Sequence, residues 1–238
     1  MSTPVSTKEQ DVSNNISAVI LDYGQVLARC PTVPEFMRMA QMFNVSFELF
    51  YQLWEASRGP YDRADFGAEA YWLNLAEQTN TELNAAQIAV LRQVEVEIWA
   101  HVDPLMMDWV SKLSEAGIKT GLLTNMPWDL IKYVQTCDWM KNFAFKTFSA
   151  EVKLIKPDPA IYEHTLHGLG VAASEALFID DREINIQAAR ELGIRSIRFQ
   201  SVGQLRKDLE ALDFQILPVM SKSISEVEAS AHEIKFQL

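Results

Sequence analysis

The stretch "AVILDYGQVL", residues 18–27, places a single acid directly after a short apolar run. The run has the length and composition of a buried strand, and Asp22 falls where that strand is expected to end. The chain then breaks at once into Tyr23, Gly24 and Gln25. An acid at the end of a buried strand is typical of a catalyst.

The rest of the chain predicts an α/β fold. Beyond Pro104, short apolar segments alternate with helical segments, which is typical of a parallel sheet covered on both faces. Residues near 33–101 differ, because their aromatic residues recur at helical spacing and predict a group of amphipathic helices. Ser46 is expected to cap one of these helices, and Asn84 with Gln87 is expected to cap another.

Composition limits the partners that the chain can have. Asp and Glu number 32 against 21 Lys and Arg, so the net charge of -11 disfavours nucleic acid and anionic membranes. No apolar stretch approaches the roughly 18 residues of a membrane-spanning helix. The two cysteines are far apart, which suits a reducing cytoplasm, and either a monomer or a homodimer is compatible with the sequence.

The two ends of the chain show no strong pattern. Residues 1–15 are polar without a hydrophobic centre, and we interpret them as a disordered lead-in. Residues 213–238 are expected to form a C-terminal tail, which is either loose or a helix lying on the surface.

Polar residues recur where strands, or the loops after them, are expected to end. In open α/β sheets the carboxyl ends of the strands are where ligands bind, so these distant positions are expected to converge on one site. They are Asp22, Thr124 with Asn125, Lys156, and Asp180 with Asp181.

Four motifs together carry a family resemblance: "LDYGQVL", "LLTN", "KPDPAIY" and "LFIDDREINIQAARELGI". Over roughly residues 16–212 the chain resembles the haloacid dehalogenase-like hydrolase superfamily, in its phosphatase-like branch. The resemblance implies a Rossmann-like parallel sheet core, residues 16–32 and 102–212. It also implies an all-helical cap, residues 33–101, inserted after the first strand.

The resemblance implies a two-step phosphoryl transfer. Asp22 would attack phosphorus and form an aspartyl phosphate, which water then hydrolyses. Lys156 would neutralise the nucleophile and the transferring group, and the Thr124 hydroxyl would hold phosphate oxygens. Asn125 would orient the substrate or the nucleophile. The substrate expected is a small phosphorylated metabolite.

The resemblance also implies a Mg²⁺ ion, which suits hard oxygen ligands. Its ligands would be Asp22, the backbone carbonyl of Gly24 and Asp181. Asp180 would act through a water molecule or from behind the ligands.

Gly24 stands where the phosphatase pattern has a second aspartate, the acid that protonates the leaving alcohol. General acid–base catalysis contributes about 10² to 10⁴ in rate, so a site without this acid is expected to be slow on poor leaving groups. Two alternatives stay open: a 2-haloacid dehalogenase, whose halide needs no proton, and a catalytically impaired phosphate-binding or regulatory protein.

Substrate selection is expected to come from the cap. The segment "SRGPYDRADFGAEAYW" places Arg58 and Tyr61 in or next to a turn between cap helices. From there they are expected to face the core site and bind the substrate, although a role in the interior of the cap or on its surface competes with this interpretation.

Overall fold

A computed structural model describes residues 16–220 of the chain. Its core is a five-stranded parallel sheet. The strands are β1 (Ala18–Leu21), β2 (Lys119–Thr124), β3 (Phe145–Phe148), β4 (Ala176–Asp180) and β5 (Arg195–Arg198). They are arranged in the order β3-β2-β1-β4-β5, which is the α/β architecture predicted from the alternating pattern.

Strand β1 lies at the centre of the sheet. Leu21 at its end is opposite Leu122 of β2 on one side and Ile179 of β4 on the other. Every residue of β1 and of β4 is buried, as expected for strands covered on both faces. The chain segments that follow β1, β2 and β4 therefore begin side by side at one edge of the sheet.

Six helices lie between β1 and β2, and we call the first five of them the insertion helices. They are α1 (Val33–Ala40), α2 (Phe47–Ala56), α3 (Arg58–Asp62), α4 (Ala68–Gln78) and α5 (Ala85–Trp99). The side chain of Ser46 accepts a hydrogen bond from the amide of Leu49 at the start of α2. Asn84 and Gln87 form the predicted capping box at the start of α5.

The remaining helices accompany the strands of the sheet. They are α6 (Pro104–Glu115), α7 (Trp128–Val134), α8 (Ser149–Val152), α9 (Pro159–Leu169), α10 (Glu183–Glu191) and α11 (Val202–Ala211). Helix α9 begins as the sequence predicts, with Pro159 at its first position and the Asp158 carboxylate accepting from the amide of Ala160.

The insertion helices have an apolar core of their own. Its buried members come from all five helices and the short 3₁₀ turn after α1, and include Phe36, Phe43, Trp54, Trp72 and Leu91. The helices add no strand to the sheet. The residue boundaries of a separate cap domain stay a prediction.

Polar contacts hold the insertion helices to the first turns of the helices that follow β2 and β3. The guanidinium of Arg92 donates to both carboxylate oxygens of Asp129, at 2.6 and 2.8 Å. The hydroxyl of Ser149, directly after β3, donates to the carbonyl oxygen of Asp62 at 2.5 Å. The space above the ends of β1 and β2 is therefore covered by the insertion helices.

The first part of the expected C-terminal tail packs against the core. The indole nitrogen of Trp109 donates to the carbonyl oxygen of Ile216 at 2.8 Å, and Phe214 is buried. Residues 213–220 form no helix, and Phe214 and Ile216 contact the core. Residues 221–238 and the expected lead-in, residues 1–15, lie outside the described part of the chain.

Within residues 16–220, none of the helices combines the length and apolar character needed to cross a lipid bilayer.

Candidate active site

Three neighbouring strands bring the predicted site residues together. Asp22 directly follows β1, Thr124 is the last residue of β2, and Asp180 is the last residue of β4. Because these strands are parallel and adjacent, their carboxyl ends meet, and the side chains of all three are buried there. Lys156 reaches the same point from the segment that precedes α9.

Lys156 lies between two carboxylates. Its ammonium nitrogen is 2.8 Å from Oδ1 of Asp22 and 2.6 Å from Oδ2 of Asp180, and it also donates to the carbonyl oxygen of Leu123 at 3.0 Å. Burial alone would lower the pKa of Lys156, but the two carboxylates raise it above its ordinary value. The two carboxylates therefore favour the charged ammonium form of Lys156 at the floor of the site.

Asp180 is completely buried, and both of its oxygens are engaged. Oδ2 accepts from Lys156, while Oδ1 accepts from the backbone amide of Arg182 at 2.8 Å. The Asn185 side-chain amide lies 2.9 and 3.1 Å from the two oxygens. Its role behind the metal ligands or through a water molecule stays a prediction.

The side-chain amide of Asn125 holds the backbone of Lys156. Its nitrogen donates to the Lys156 carbonyl oxygen at 3.0 Å, and its oxygen accepts from the Lys156 amide at 2.8 Å. This reciprocal pair positions the lysine through its main chain. Direct contact of Asn125 with a substrate stays a prediction.

The backbone around Asp22 fixes its carboxylate. Oδ1 of Asp22 accepts from the amide of Tyr23 at 2.7 Å as well as from Lys156. The Tyr23 hydroxyl in turn donates to the carbonyl oxygen of Trp99 at 2.6 Å, which ties this loop to the end of α5. The ring of Trp99 faces Gly24, since a methyl carbon at Gly24 would lie 3.5 Å from its Cζ3.

Three carboxylates form the acidic part of the site. Oxygens of Asp22, Asp180 and Asp181 all lie within 4.8 Å of one another. Burial raises the pKa of Asp22 to about 7 despite the attraction of Lys156. Repulsion from Asp180 and Asp181 adds to that rise. Burial and the two neighbouring carboxylates together therefore outweigh the effect of Lys156 on the pKa of Asp22.

A divalent cation fits this arrangement. When the three carboxylates are ionised, the single charge of Lys156 leaves an excess of two negative charges. The donors are hard oxygen atoms, which Mg²⁺ prefers. Asp181 is partly exposed to the cleft, and burial raises its pKa as well. The side chain of Gln25 donates to its Oδ2 at 2.9 Å.

Of the two residues expected to bind substrate from the insertion helices, Arg58 borders the cleft and Tyr61 does not. Arg58 begins α3, a short helix, where a turn was expected. Its guanidinium pairs with the carboxylates of Asp62 and Glu95, so it is already neutralised although it borders the cleft. Tyr61 is buried, with its hydroxyl donating to Glu95 at 3.1 Å, and it does not line the cleft.

A cleft of about 510 Å³ opens between the strand ends and the insertion helices. Its floor contains Asp22, Thr124, Asn125, Lys156 and Asp181. This volume is typical of sites for small molecules. The cleft therefore gives a small substrate access to the carboxylates and to Lys156.

Several residues of the site had not been predicted. Asn185 gave a weak signal, because it is a polar residue on the buried face of the amphipathic helix α10. Gln25 and Trp99 gave none, since neither has a motif or spacing that predicts its neighbours. Gln25 is also held in the left-handed region, with φ of 59°.

Relatives with known names share parts of this sequence. The mouse protein "Acyl-CoA dehydrogenase family member 10" is 31% identical over 119 residues, which are 46% of this chain and 10% of that protein. The zebrafish "Haloacid dehalogenase-like hydrolase domain-containing protein 3" is 23% identical over 82% of this chain and 85% of its own length. The match to the mouse protein thus spans only a small part of that relative.

Solved structures share the fold. The HAD family enzyme BT-2542 of Bacteroides thetaiotaomicron, in complex with magnesium and inorganic phosphate, has a TM-score of 0.63 at 22% identity. The similarity covers 78% of this chain and 94% of that one. The L-2-haloacid dehalogenase RSc1362 has a TM-score of 0.60 at 20% identity, over 79% and 88% of the two chains.

The family model for haloacid dehalogenase-like hydrolases matches residues 16–193, which include every strand end described above except that of β5. This chain therefore belongs to the haloacid dehalogenase-like hydrolase family.

Proposed function

We propose that this protein is a Mg²⁺-dependent phosphatase that hydrolyses small phosphate monoesters through an aspartyl phosphate on Asp22. The observation that carries the proposal is the position of Lys156, with its ammonium 2.8 Å from Asp22 and 2.6 Å from Asp180. A fixed positive charge at this point compensates the negative charge of a phosphate brought against a carboxylate nucleophile.

In the first step, an oxygen of Asp22 forms a bond to phosphorus, and the bond from phosphorus to the leaving oxygen breaks. Tyr23 and Lys156 both contact Oδ1, which leaves Oδ2 as the oxygen that reacts. The electron pair of the broken bond stays on the leaving oxygen. Gly24 has no side chain to protonate that oxygen, so the proton comes from water.

In the second step, water attacks the phosphorus of the aspartyl phosphate. The bond from phosphorus to Asp22 breaks, the carboxylate is restored, and inorganic phosphate leaves the cleft. Thr124, buried at the end of β2, is proposed to hold phosphate oxygens with its hydroxyl. Asn125 keeps Lys156 in place through both steps.

Mg²⁺ would be held by Asp22, Asp181 and the backbone carbonyl of Gly24, with Asp180 behind them. When bound, the ion would screen negative charge between the carboxylates and the phosphate oxygens. The excess negative charge of the carboxylate cluster supports this assignment. The magnesium and phosphate complex of BT-2542, a protein of the same fold, also supports this assignment.

The carboxylate cluster also weighs against dehalogenation. Oxygens of Asp180 and Asp181 lie within 4.8 Å of those of Asp22, and such a cluster is suited to a cation. Displacement of halide by Asp22 needs no cation. The similarity to RSc1362 rests on the fold at 20% identity.

The test is a screen of phosphorylated small molecules for phosphate release, with Mg²⁺ and with a chelator. Asp22→Asn is compared with Asp108→Asn, an exposed aspartate on α6 that pairs with Lys112. We expect release that requires Mg²⁺, is lost in Asp22→Asn and is retained in Asp108→Asn.

The same proteins are assayed for halide release from 2-chloropropionate. Halide release dependent on Asp22 would replace the phosphatase with a dehalogenase. Absence of both products, with retained binding of inorganic phosphate, would instead assign the protein to the phosphate-binding class.

A further inference from the structure

Aromatic rings line the side of the cleft that faces the carboxylates. Phe36 comes from α1, Tyr51 and Trp54 come from α2, and Trp99 ends α5. We call these four residues the aromatic wall. Leu130 and Ile155 add apolar surface from the core side of the same cleft.

Three rings of the aromatic wall support one another. The centroid of Phe36 is 5.3 Å from that of Tyr51 and 5.1 Å from that of Trp54, both in edge-to-face geometry. Tyr51 and Trp54 are 5.7 Å apart. Phe36 and Trp54 are buried, whereas Tyr51 is 40% exposed. The wall is a packed surface, and Tyr51 is its accessible ring.

The charged groups around the aromatic wall are already paired. Among the described residues lining the cleft, the cations are Arg58, Lys156 and Arg182. Arg58 pairs with two carboxylates, and Arg182 lies 3.2 Å from Glu55. Lys156 pairs with the carboxylates of Asp22 and Asp180. Each lining cation of the described chain therefore already has a carboxylate partner, and only the pair of Arg182 with Glu55 is largely exposed.

Gly24 adds a constraint on the leaving group. The ring of Trp99 faces the place from which an acid at position 24 would act. A leaving oxygen here is next to an aromatic surface, so the negative charge it gains on departure is best carried by the leaving group itself. A phenolate carries it on its ring.

We propose that the cleft selects phosphate monoesters of uncharged, apolar, ring-containing alcohols, with aryl phosphates as the preferred class. This inference rests on the proposed phosphatase activity and specifies its substrate. The phosphate meets Lys156 and the carboxylate floor, while the ring of the substrate packs on the aromatic wall. Substrates with a second phosphate or a carboxylate are disfavoured, because they would leave an unpaired anion against apolar rings.

The reaction balances without another reagent. Asp22 oxygen bonds to phosphorus as the phosphorus–oxygen bond to the aryl group breaks, and the phenolate takes a proton from water. A second water cleaves the aspartyl phosphate, which returns the Asp22 carboxylate and releases inorganic phosphate.

The test measures kcat/KM for pairs of phosphate esters. Benzyl and glycerol phosphate both release alkyl alcohols, so their comparison tests an apolar ring against a polar chain. Phenyl and 4-carboxyphenyl phosphate share the ring, so their comparison isolates the added charge. We expect a preference of about tenfold for the apolar member of each pair, since such a factor needs only about 1.4 kcal/mol.

Variants of Tyr51 test whether the aromatic wall causes this preference. Tyr51→Ala is expected to reduce the ratio of kcat/KM for benzyl over glycerol phosphate about threefold or more, mainly through KM, and Tyr51→Phe is expected to retain it. Leu49→Ala is the matched control, because Leu49 is an exposed apolar residue of the same helix that does not line the cleft.

The outcomes separate this inference from the proposed function. Phosphate release that depends on Asp22 but shows equal kcat/KM within both pairs would overturn the inference and leave the phosphatase intact. If no ester is hydrolysed, the phosphatase fails, and calorimetry with phenylphosphonate and methylphosphonate decides the inference. Tighter binding of phenylphosphonate that Tyr51→Ala weakens would support it, and equal affinities would refute it.

Discussion

The ammonium nitrogen of Lys156 lies 2.8 Å from Oδ1 of Asp22, and both side chains are buried. The same nitrogen is 2.6 Å from Asp180, so one cation compensates two carboxylates. Removing one partner of a buried ion pair typically costs about 3–5 kcal/mol, because the other charge stays buried without compensation.

Lys156→Met is therefore expected to lower the free energy of unfolding by about that amount and to abolish phosphate release. In the double variant with Asp180→Asn, one buried negative charge is removed, so part of the stability should return while activity stays lost. Urea denaturation and a phosphate-release assay measure the two effects. Unchanged stability in Lys156→Met would contradict the proposed balance of charges.

The proposed metal site predicts that Asp181 is a ligand of Mg²⁺. Asp181→Asn removes one charged oxygen ligand, and we expect the Mg²⁺ affinity measured by calorimetry to fall about tenfold or more, since ligand charge sets the affinity for such hard cations. Asp108→Asn, the exposed control on α6, should bind Mg²⁺ as the wild type does. Equal affinities in wild type and Asp181→Asn would exclude Asp181 as a ligand.

The absence of an acid at Gly24 predicts that the rate depends on the leaving group. Its φ lies outside the left-handed region, and a Cβ there would be in ordinary contact with Trp99, at 3.5 Å from Cζ3. Gly24→Asp can therefore place an acid beside the leaving oxygen. We expect gains on alkyl phosphates approaching the roughly 10² to 10⁴ of general acid catalysis, with smaller gains on aryl phosphates.

Gly24→Asn is the matched control, because it adds a side chain of similar size that is not an acid. The measurement is the dependence of kcat/KM on leaving-group pKa in all three proteins, with Mg²⁺ affinity determined in each. A steep dependence in the wild type that flattens only in Gly24→Asp is expected. A shallow dependence in the wild type would mean that another group already supplies the proton.

The buried carboxyl group of Asp62 is expected to make the stability of the protein depend on pH. Burial raises the pKa of Asp62 from 3.8 to about 6, against the attraction of Arg58. Between these values the unfolded chain loses the proton first, so stability falls as the pH rises. The rise in pKa corresponds to a loss of up to about 3 kcal/mol, which is complete above pH 6.

Asp62→Asn lacks this contribution. The unfolding free energy of the variant relative to wild type should therefore increase between pH 4 and pH 7, as measured by urea denaturation at several pH values. Asp65→Asn is the control, since Asp65 is exposed and its hydrogen bond from Arg63 lowers its pKa. A flat difference between Asp62→Asn and wild type would show that Asp62 ionises normally in the folded state.

The sequence determined the sheet and the positions of the main reactive groups. Asp22, Thr124 and Asp180 end apolar runs, and runs of this kind become adjacent parallel strands because only such an arrangement buries them on both faces. Their side chains then meet at one edge of the sheet. The pair Asp158 and Pro159 was likewise sufficient to predict the start of α9, because a helix start depends on a few neighbouring residues.

Tertiary structure alone decided which partner each polar group takes. Arg58 borders the cleft as expected, but Asp62 lies one helical turn further along and α5 brings Glu95 beside it, so both carboxylates pair with its guanidinium. Binding of substrate by Arg58 stays a prediction. Asn125 also lines the cleft, and its side-chain amide binds the backbone of Lys156, a residue far away in the sequence. Contacts between residues far apart in the chain depend on how helices pack, and local patterns of residues carry little information about that packing.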